Sequence, residues 1–97
     1  MPLRRVAFFI FMEQKYWVYI LRSSEGKYYI GQTNDIERRL NEHEVGISIW
    51  TRKYTGWELI YKEEYSSRSE AMIRERVLKR LKGGDVFKRL VAGESGS

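Results

Sequence analysis

Runs of aromatic and β-branched residues divide the chain into short strands separated by polar turns. The segment "YWVYIL" (residues 16–21) has this composition, which predicts a strand. The polar turn "RSSEGK" follows, and "KYYIG" (residues 27–31) then predicts a second strand that pairs with the first as a hairpin. A third strand is predicted at "WELIYKEEY" (residues 57–65).

The length of the hairpin loop decides which side chains share a face. A two-residue loop at Glu25 and Gly26 would place Tyr19 and Tyr29 on opposite faces. A three-residue loop that begins at Ser24 would place both tyrosines on the same face. We prefer the three-residue loop, because Gly26 then falls at the position that needs a positive φ.

The first helix is predicted over residues 35–44, directly after the hairpin. Asn34 is the expected N-cap, with Glu37 as its capping-box partner. Gly46 is expected to end the helix, because glycine readily adopts the left-handed conformation found just beyond helix C-termini.

Two adjacent arginines of this helix are predicted to have different environments. At helical spacing Arg39 and His43 lie on the same face as Ile36 and Leu40. Arg38 points to nearly the opposite side. We therefore expect Arg39 to be held beside the core and Arg38 to lie in solvent.

The second helix begins at a capping box, Ser67-x-x-Glu70, and ends at Gly83–Gly84. Because the capping box accounts for Glu70, that residue is rejected as a metal ligand. Glu75 lies at the border of the apolar stripe, where a carboxylate can face a cleft. Arg74 falls inside the stripe, and only burial of its aliphatic stem explains it. The stripe consists of Ala71, Val77, Leu78 and Leu81.

The predicted architecture is α+β: a small three-stranded antiparallel sheet flanked by helices, in the order β-β-α-β-α-α. The last helix is expected at "DVFKRLVA" (residues 85–92). A sheet this small needs helices on at least one face to be stable. The expected divisions are an N-terminal extension (residues 1–15), one domain (residues 16–91) and a disordered tail (residues 92–97).

The composition limits which partners and which kinds of catalytic or metal site the chain can have. The 97 residues carry 18 Lys and Arg against 13 Asp and Glu, a net charge of +5. This favours a polyanionic partner such as nucleic acid over the alternative, a solvated cationic surface, by a modest margin. The chain has no cysteine and one histidine, which excludes disulfides, thiolate catalysis and clusters of Cys or His around a metal. Any metal must bind carboxylates, as Mg²⁺ does.

No apolar run approaches the roughly 20 residues that span a bilayer. The N-terminal "RRVAFFIFM" is similar to the start of a signal peptide, but no small-residue cleavage site follows it. It is interpreted as a peripheral strand or an upstream extension, with Met12 as an alternative start. The expected location is cytoplasmic.

Several residues together resemble the GIY-YIG endonuclease superfamily, in particular its stand-alone bacterial single-domain proteins (the YhbQ-like group). "WVY" ends at Tyr19, "YIG" begins ten residues later at Tyr29, and Arg39 and His43 follow on the first helix. "SEAMIRERVLKRLK" resembles the second helix of the superfamily and carries Glu75. The resemblance covers about residues 16–90.

The sequence departs from the superfamily pattern at two points. Trp17 and Val18 stand where the first motif has glycine and isoleucine. The C-terminal asparagine of some members has no counterpart, since Asn34 and Asn41 are the only asparagines.

The resemblance implies hydrolysis of a phosphodiester bond. It implies Tyr19 as general base on the attacking water, which requires nearby positive charge, because an ordinary tyrosine has a pKa of about 10. It implies Arg39 as the phosphate ligand and Glu75 as the ligand of Mg²⁺ or Mn²⁺. Tyr29 would orient water or phosphate, and His43 would hydrogen-bond within the site.

Each of these residues also has a structural interpretation. The two tyrosines are compatible with ordinary strand aromatics. Arg39 is placed to pair with Glu42 or Glu44, and His43 to interact with the helix dipole. Glu75 and Lys79 are spaced for an i,i+4 ion pair. Taken jointly, the residues favour the catalytic interpretation.

A basic and aromatic rim is predicted to contact nucleic acid, with cations on phosphates and aromatic rings on exposed bases. Its residues are Arg52, Lys53, Tyr54, Lys79 and Lys82.

Three hypotheses follow. The first is an endonuclease that cleaves DNA by structure in repair or recombination. The second is a nucleic-acid-binding module with little or no cleavage activity. The third is a partner of a larger repair or replication protein, bound through the "VAFFIF" segment.

Overall fold

The computed structural model describes residues 14–45 and 51–93. The observed order of elements is β-β-α-β-α-α, which confirms the predicted α+β architecture. The elements are β1 (Tyr16–Arg22), β2 (Tyr28–Thr33), α1 (Ile36–Glu44), a 3₁₀ turn (Thr51–Lys53), β3 (Glu58–Tyr65), α2 (Arg68–Leu81) and α3 (Asp85–Val91).

The three strands form one antiparallel sheet in the order β2-β1-β3. The central position of β1 explains its composition, because both of its faces are covered and four consecutive residues, Val18–Leu21, are buried. Successive side chains of a strand point to opposite faces. β1 therefore sends Val18 and Ile20 to one side of the sheet, and Tyr19 and Leu21 to the other.

The hydrophobic core lies between the Val18 face of the sheet and the last two helices. Ala71 and Leu78 of α2 and Phe87 of α3 pack there with Val18, Ile20 and Ile30. The opposite face, which carries Tyr19, is reached by α1 through His43. One face of the sheet thus packs against α2 and α3 to form the core, and the other face contacts α1.

The hairpin loop has three residues, as predicted. The Ser23 amide donates to the Lys27 carbonyl at 2.8 Å, and the Gly26 amide donates to the Ser23 carbonyl at 2.9 Å. Gly26 has a φ of 82°, which only glycine adopts at little cost. The resulting register pairs Leu21 with Tyr29 and so places Tyr29 on the face of Tyr19.

The predicted cap of the first helix is wrong by one residue. Asp35, and not Asn34, is the N-cap: its carboxylate accepts from the Arg38 amide at 3.1 Å. The Asp35 amide donates to the Thr33 hydroxyl at 3.1 Å, and this bond holds Asp35 in the N-cap position, so that the helix begins one residue later than predicted. Glu37 is consequently not the capping-box partner. Arg38 is exposed, as predicted, and pairs with Glu42.

The other predicted boundaries are close to those observed. The Ser67 hydroxyl accepts from the Glu70 amide at 3.2 Å, which confirms the second capping box. β3 begins at Glu58, one residue later than predicted. The first helix ends at Glu44, and Gly46 lies outside the described residues.

Predictions for both ends of the chain also fall outside the described residues. They concern the start at Met12, the "VAFFIF" segment (residues 6–11) and residues 94–97 of the predicted tail (residues 92–97). In the part of the chain that is described, none of the helices has the length and apolar character needed to cross a membrane.

Arg74 has a partner that the sequence did not reveal. Its Nε and Nη2 atoms donate to the two carboxylate oxygens of Glu63 at 2.9 and 3.0 Å. The hydroxyls of Tyr61 and Tyr65 donate to the same carboxylate. Burial would raise the pKa of Glu63, but the bonds from Arg74 and the two phenols lower it. This cluster joins β3 to α2.

Replacing Arg74 with alanine is expected to lower the free energy of unfolding by about 1–3 kcal/mol, because it leaves a half-buried carboxylate without its cation. Denaturant unfolding measures this change. Arg76→Ala is the control, since Arg76 is exposed on the same helix; its expected cost is below about 0.5 kcal/mol. Equal losses in the two variants would contradict a stabilising role for the cluster.

Candidate active site

Tyr19 and Tyr29 lie side by side, with their ring centroids 6.2 Å apart. Tyr19 is paired across the strands with Gly31, and its ring lies over that glycine. A Cβ at position 31 would be 2.6 Å from the Tyr19 hydroxyl oxygen, much closer than any allowed contact. The glycine of "YIG" is therefore needed for the space it leaves to the Tyr19 phenol.

Replacing Gly31 with alanine is expected to displace the Tyr19 phenol and to destabilise the fold by about 1–3 kcal/mol, as overpacking does. The displacement should appear as chemical-shift changes at Tyr19, Arg39 and His43. Gly26→Ala is the matched control, since a Cβ there meets nothing within 4 Å. It should cost about 1 kcal/mol through backbone strain and leave the site's shifts unchanged. Unchanged shifts in Gly31→Ala would contradict the steric argument.

Arg39 of α1 joins the two phenols. Its Nε donates to the Tyr19 hydroxyl at 3.2 Å and its Nη2 donates to the Tyr29 hydroxyl at 3.3 Å. Its Nη1 donates to Glu42 at 2.8 Å. The guanidinium is thus held beside the two tyrosines and also forms the ion pair that the alternative interpretation predicted.

His43 completes the cluster one turn further along α1. Its side chain is buried, and its Nε2 lies 3.0 Å from the Tyr19 hydroxyl. Its ring also packs edgewise against Tyr29, with centroids 4.5 Å apart. Burial, and then the charge of Arg39, lower the pKa of His43 to about 4. The imidazole is therefore neutral at pH 7 and able to accept a hydrogen bond from Tyr19.

This depressed pKa predicts a loss of stability in weak acid. In the unfolded chain His43 binds its proton at about pH 6.5, whereas the folded protein resists protonation until about pH 4. Stability should therefore fall as the pH is lowered from 6.5 to 4, by up to about 3 kcal/mol at 1.36 kcal/mol per pKa unit. Denaturant unfolding across this range measures the slope.

His43→Gln is the control for this slope, because glutamine keeps an acceptor for Tyr19 but does not titrate. His43 is the only histidine of the chain, so the slope between pH 5 and 6.5 should be largely lost in the variant. A slope that persists there would assign the effect to other groups.

The pKa of Tyr19 is raised well above its ordinary value. Burial is the main cause, followed by the neighbouring Tyr29, and Glu75 adds to it. The hydrogen bond and charge of Arg39 act in the opposite direction but do not compensate. The requirement for nearby positive charge is therefore only partly met by this chain, and Tyr19 is a neutral phenol at pH 7.

Glu75 approaches the cluster from α2. Its charge is among those that act on Tyr19, so the carboxylate lies within electrostatic range of the Tyr19 phenol. The Lys79 ammonium is 2.9 Å from it, which is the predicted i,i+4 pair. Within residues 14–45 and 51–93 no three acidic or histidine side chains are grouped to hold a metal ion. A carboxylate such as Glu75 suits Mg²⁺ when water and substrate phosphate supply most of the other ligands.

The predicted rim is divided between two places. Arg52 and Lys53 are exposed in the 3₁₀ turn, and Tyr54 follows with its ring against Trp57. The other two cations make intramolecular contacts: Lys79 of α2 with Glu75, and Lys82, the C-cap residue of α2, with the Tyr28 carbonyl at 3.2 Å.

Sequence reasoning missed how the loop before β3 is held. Ser24 and Glu25 of the hairpin loop bind Thr55 through hydrogen bonds of 2.8–3.2 Å. No local signal reveals this contact, because the partners are 30 or 31 positions apart. The sequence offered Glu42 and Glu44 as alternative partners for Arg39, and the structure shows that the partner is Glu42.

A strand–strand–helix unit thus brings together two phenols, an arginine that bridges them and a buried neutral histidine. The family profile described as "GIY-YIG catalytic domain" matches residues 15–88, most of the chain. The protein belongs to the GIY-YIG family, a nuclease family, and this implies a nucleic-acid substrate.

Two relatives align with most of this chain and with most of their own length. The chain is 42% identical over 72 residues to a UPF0213 protein of Streptococcus pneumoniae serotype 4, covering 73% of each chain. It is 38% identical over 86 residues to UPF0213 protein NP_0776A of Natronomonas pharaonis, covering 88% of this chain and all of that one.

Two solved structures share the fold. The solution NMR structure of UPF0213 protein BH0048 from Bacillus halodurans has a TM-score of 0.53 at 31% identity, over 84% of this chain and 87% of that one. The NMR structure of EF2693 from E. faecalis has a TM-score of 0.59 at 28% identity, over 88% and 92%.

Proposed function

We propose that the protein is a divalent-metal-dependent endonuclease that hydrolyses phosphodiester bonds in DNA, selects its substrate by structure and acts in repair or recombination. One observation carries the proposal: Arg39 donates to both Tyr19 and Tyr29 while His43 meets the Tyr19 hydroxyl from another side. A site for water activation and a site for phosphate therefore adjoin each other.

The hydrogen bond between Tyr19 and His43 offers a route for the proton of the attacking water. A free phenolate is disfavoured here, since burial raises the pKa of Tyr19. The phenol avoids that state if it takes the water's proton while it passes its own to His43 Nε2. His43 is neutral at pH 7, as an acceptor must be. Tyr29 is the proposed hydrogen-bond donor that orients water or phosphate.

Arg39 supplies the permanent positive charge for the phosphoryl oxygens. Its three donor nitrogens now contact Tyr19, Tyr29 and Glu42. A phosphate bound there would compete with Glu42 for the guanidinium, and a bidentate arginine–phosphate pair is a strong competitor. Release of Glu42 is therefore the expected local change on substrate binding.

Glu75 is the proposed protein ligand of Mg²⁺ or Mn²⁺. Bound metal would stabilise the leaving oxygen and add the positive charge that Arg39 alone does not provide. For metal to bind, Lys79 must release the carboxylate, and as an exposed side chain it can do so at low cost. The freed ammonium can then contact a substrate phosphate.

The predicted preference for structure over sequence follows from the kind of contacts. Arginine and lysine contacts to phosphate carry no sequence information. The side chains proposed to contact backbone phosphates are all cations: Arg39, Arg52, Lys53, Lys79 and Lys82.

Cleavage of nicked, flapped and branched DNA in Mg²⁺ tests the proposal. Tyr19→Phe and Glu75→Ala should abolish detectable cleavage, and Arg39→Ala should slow it by about 10²–10³-fold through loss of charge stabilisation. Tyr28→Phe is the matched control: it removes a phenolic hydroxyl from β2, next to Tyr29 in the chain but on the opposite face, which packs against Phe87. Its cleavage rate should stay within about twofold of the wild type. Cleavage that survives both Tyr19→Phe and Glu75→Ala would rule out the proposed site.

A second candidate is a nucleic-acid-binding module with little or no cleavage activity. The observation that favours it is the raised pKa of Tyr19, together with the pairing of Glu75 with Lys79. Under this alternative no variant or wild type cleaves, and affinity falls steeply with salt. Glu75→Ala should then preserve or strengthen binding, because it removes a negative charge from a cationic surface.

A further inference from the structure

A cavity of about 460 Å³ adjoins the candidate active site on the Tyr19 face of the sheet. Leu21 and Leu59, which are paired across β1 and β3, form its floor. Leu40 and His43 of α1 line it on one side, and Tyr54 and Trp57 line it on another. Its volume is in the range of small-molecule pockets, about 300–1,000 Å³.

His43 belongs both to this cavity and to the catalytic cluster. Its Nε2 meets the Tyr19 hydroxyl, while the side chain also lines the cavity. Arg39, the proposed phosphate ligand, is one helical turn before His43. Because one helical turn rises about 5.4 Å, a group that enters the cavity beside His43 lies near a phosphate bound at Arg39.

The aromatic side of the cavity is held by the hairpin loop. Ser24 donates to the Thr55 carbonyl from its amide at 2.9 Å and from its hydroxyl at 2.8 Å. Thr55 donates in turn to the Glu25 carboxylate from its amide at 3.2 Å and its hydroxyl at 3.1 Å. Thr55 lies between Tyr54 and Trp57, so these bonds fix the segment that carries both rings.

The chemistry of the lining favours a nucleobase over a phosphate. Tyr54 and Trp57 both line the cavity with their rings nearly perpendicular, and a flat ring that enters the cavity can stack against the aromatic surface that lines it. Glu44 also lines the cavity, and a carboxylate there would repel a phosphate but can accept from the amino group of a base. Arg52, also in the lining, can neutralise the backbone at the entrance.

We propose that this cavity receives a single unpaired nucleobase of the substrate, adjacent to the phosphate that is cleaved. The inference rests on the proposed function and specifies its substrate class. A base inside a duplex is stacked on both sides and cannot enter without extrusion, which costs free energy. DNA with an unpaired nucleotide at the cleavage point, as at a flap or gap, is therefore the preferred substrate over uniform duplex.

Binding to flapped duplexes that carry one abasic nucleotide tests the inference. The abasic position is moved stepwise through both sides of the junction, and affinity is measured by fluorescence anisotropy with Ca²⁺ in place of Mg²⁺. At one position next to the junction, loss of the base should weaken binding to the wild type about tenfold, within the range of base–aromatic stacking. The same abasic substrate should change the affinity of Trp57→Ala by less than about twofold.

Two further variants serve as controls. Trp57→Phe keeps an aromatic face and should retain the sensitivity to the abasic site. Trp17→Ala removes a tryptophan that packs under the Lys62 ammonium, outside the cavity, and should retain it as well. Circular dichroism is used to check that each variant folds. The abasic scan of the wild type tests the inference even if a variant does not fold.

The outcomes separate this inference from the proposed function. The base pocket would be overturned if no abasic position changed the affinity of the wild type, or if Trp57→Ala lost as much affinity at that position as the wild type. Cleavage of DNA in Mg²⁺ would in either case leave the nuclease proposal standing. Failure to bind any nucleic acid would overturn both.

Discussion

The site depends on one constraint, which is that the hydroxyl of a buried tyrosine must be hydrogen-bonded. Tyr19 is 1% exposed, and its hydroxyl is satisfied by Arg39 and His43 of α1. An unpaired hydroxyl in such a position would cost about 1–3 kcal/mol. These bonds therefore fix where α1 lies on the sheet. They also explain why the partner residue in β2 is Gly31, since any side chain there would occupy the space of the phenol.

The second part of the site is positioned from the other face of the sheet. Arg74 anchors α2 to β3 through Glu63, which also binds Tyr61 and Tyr65. Glu75 is the next residue and points about 100° away around the helix, so the same anchor that holds Arg74 sets the direction of the Glu75 carboxylate. An ion pair outside the candidate site thus sets the direction of the proposed metal ligand.

The parts of this structure that could be predicted from sequence are those set by local rules. The three-residue loop followed from Gly26, and the Ser67 cap followed from Glu70 three positions later. The shared face of Arg39 and His43 followed from helical spacing. The cap at Asp35 was mistaken for Asn34, because both residues are good caps and the deciding bond from the Asp35 amide to Thr33 depends on backbone geometry.

Other parts could not be predicted, because they join residues far apart in the chain. The Arg74 to Glu63 pair links a helix to a strand, and no pattern in either element indicates the other. The same holds for the bonds between Thr55 and the hairpin loop, which make the basic segment before β3 into one side of a cavity. Composition suggested cations and aromatics there, but their arrangement is a property of the tertiary structure.

In the proposed mechanism, the electrostatics of the site would make proton transfer depend on bound substrate. Without substrate, burial favours neutral forms of both Tyr19 and His43, and Arg39 further lowers the pKa of His43. A phosphate at Arg39 would offset that positive charge and place negative charge near the imidazole, and both effects raise the pKa of His43. His43 would then become a better proton acceptor for Tyr19 only when a phosphate is present. The depressed pKa that makes the histidine a weak base in the free protein would in this way confine proton transfer to the bound complex.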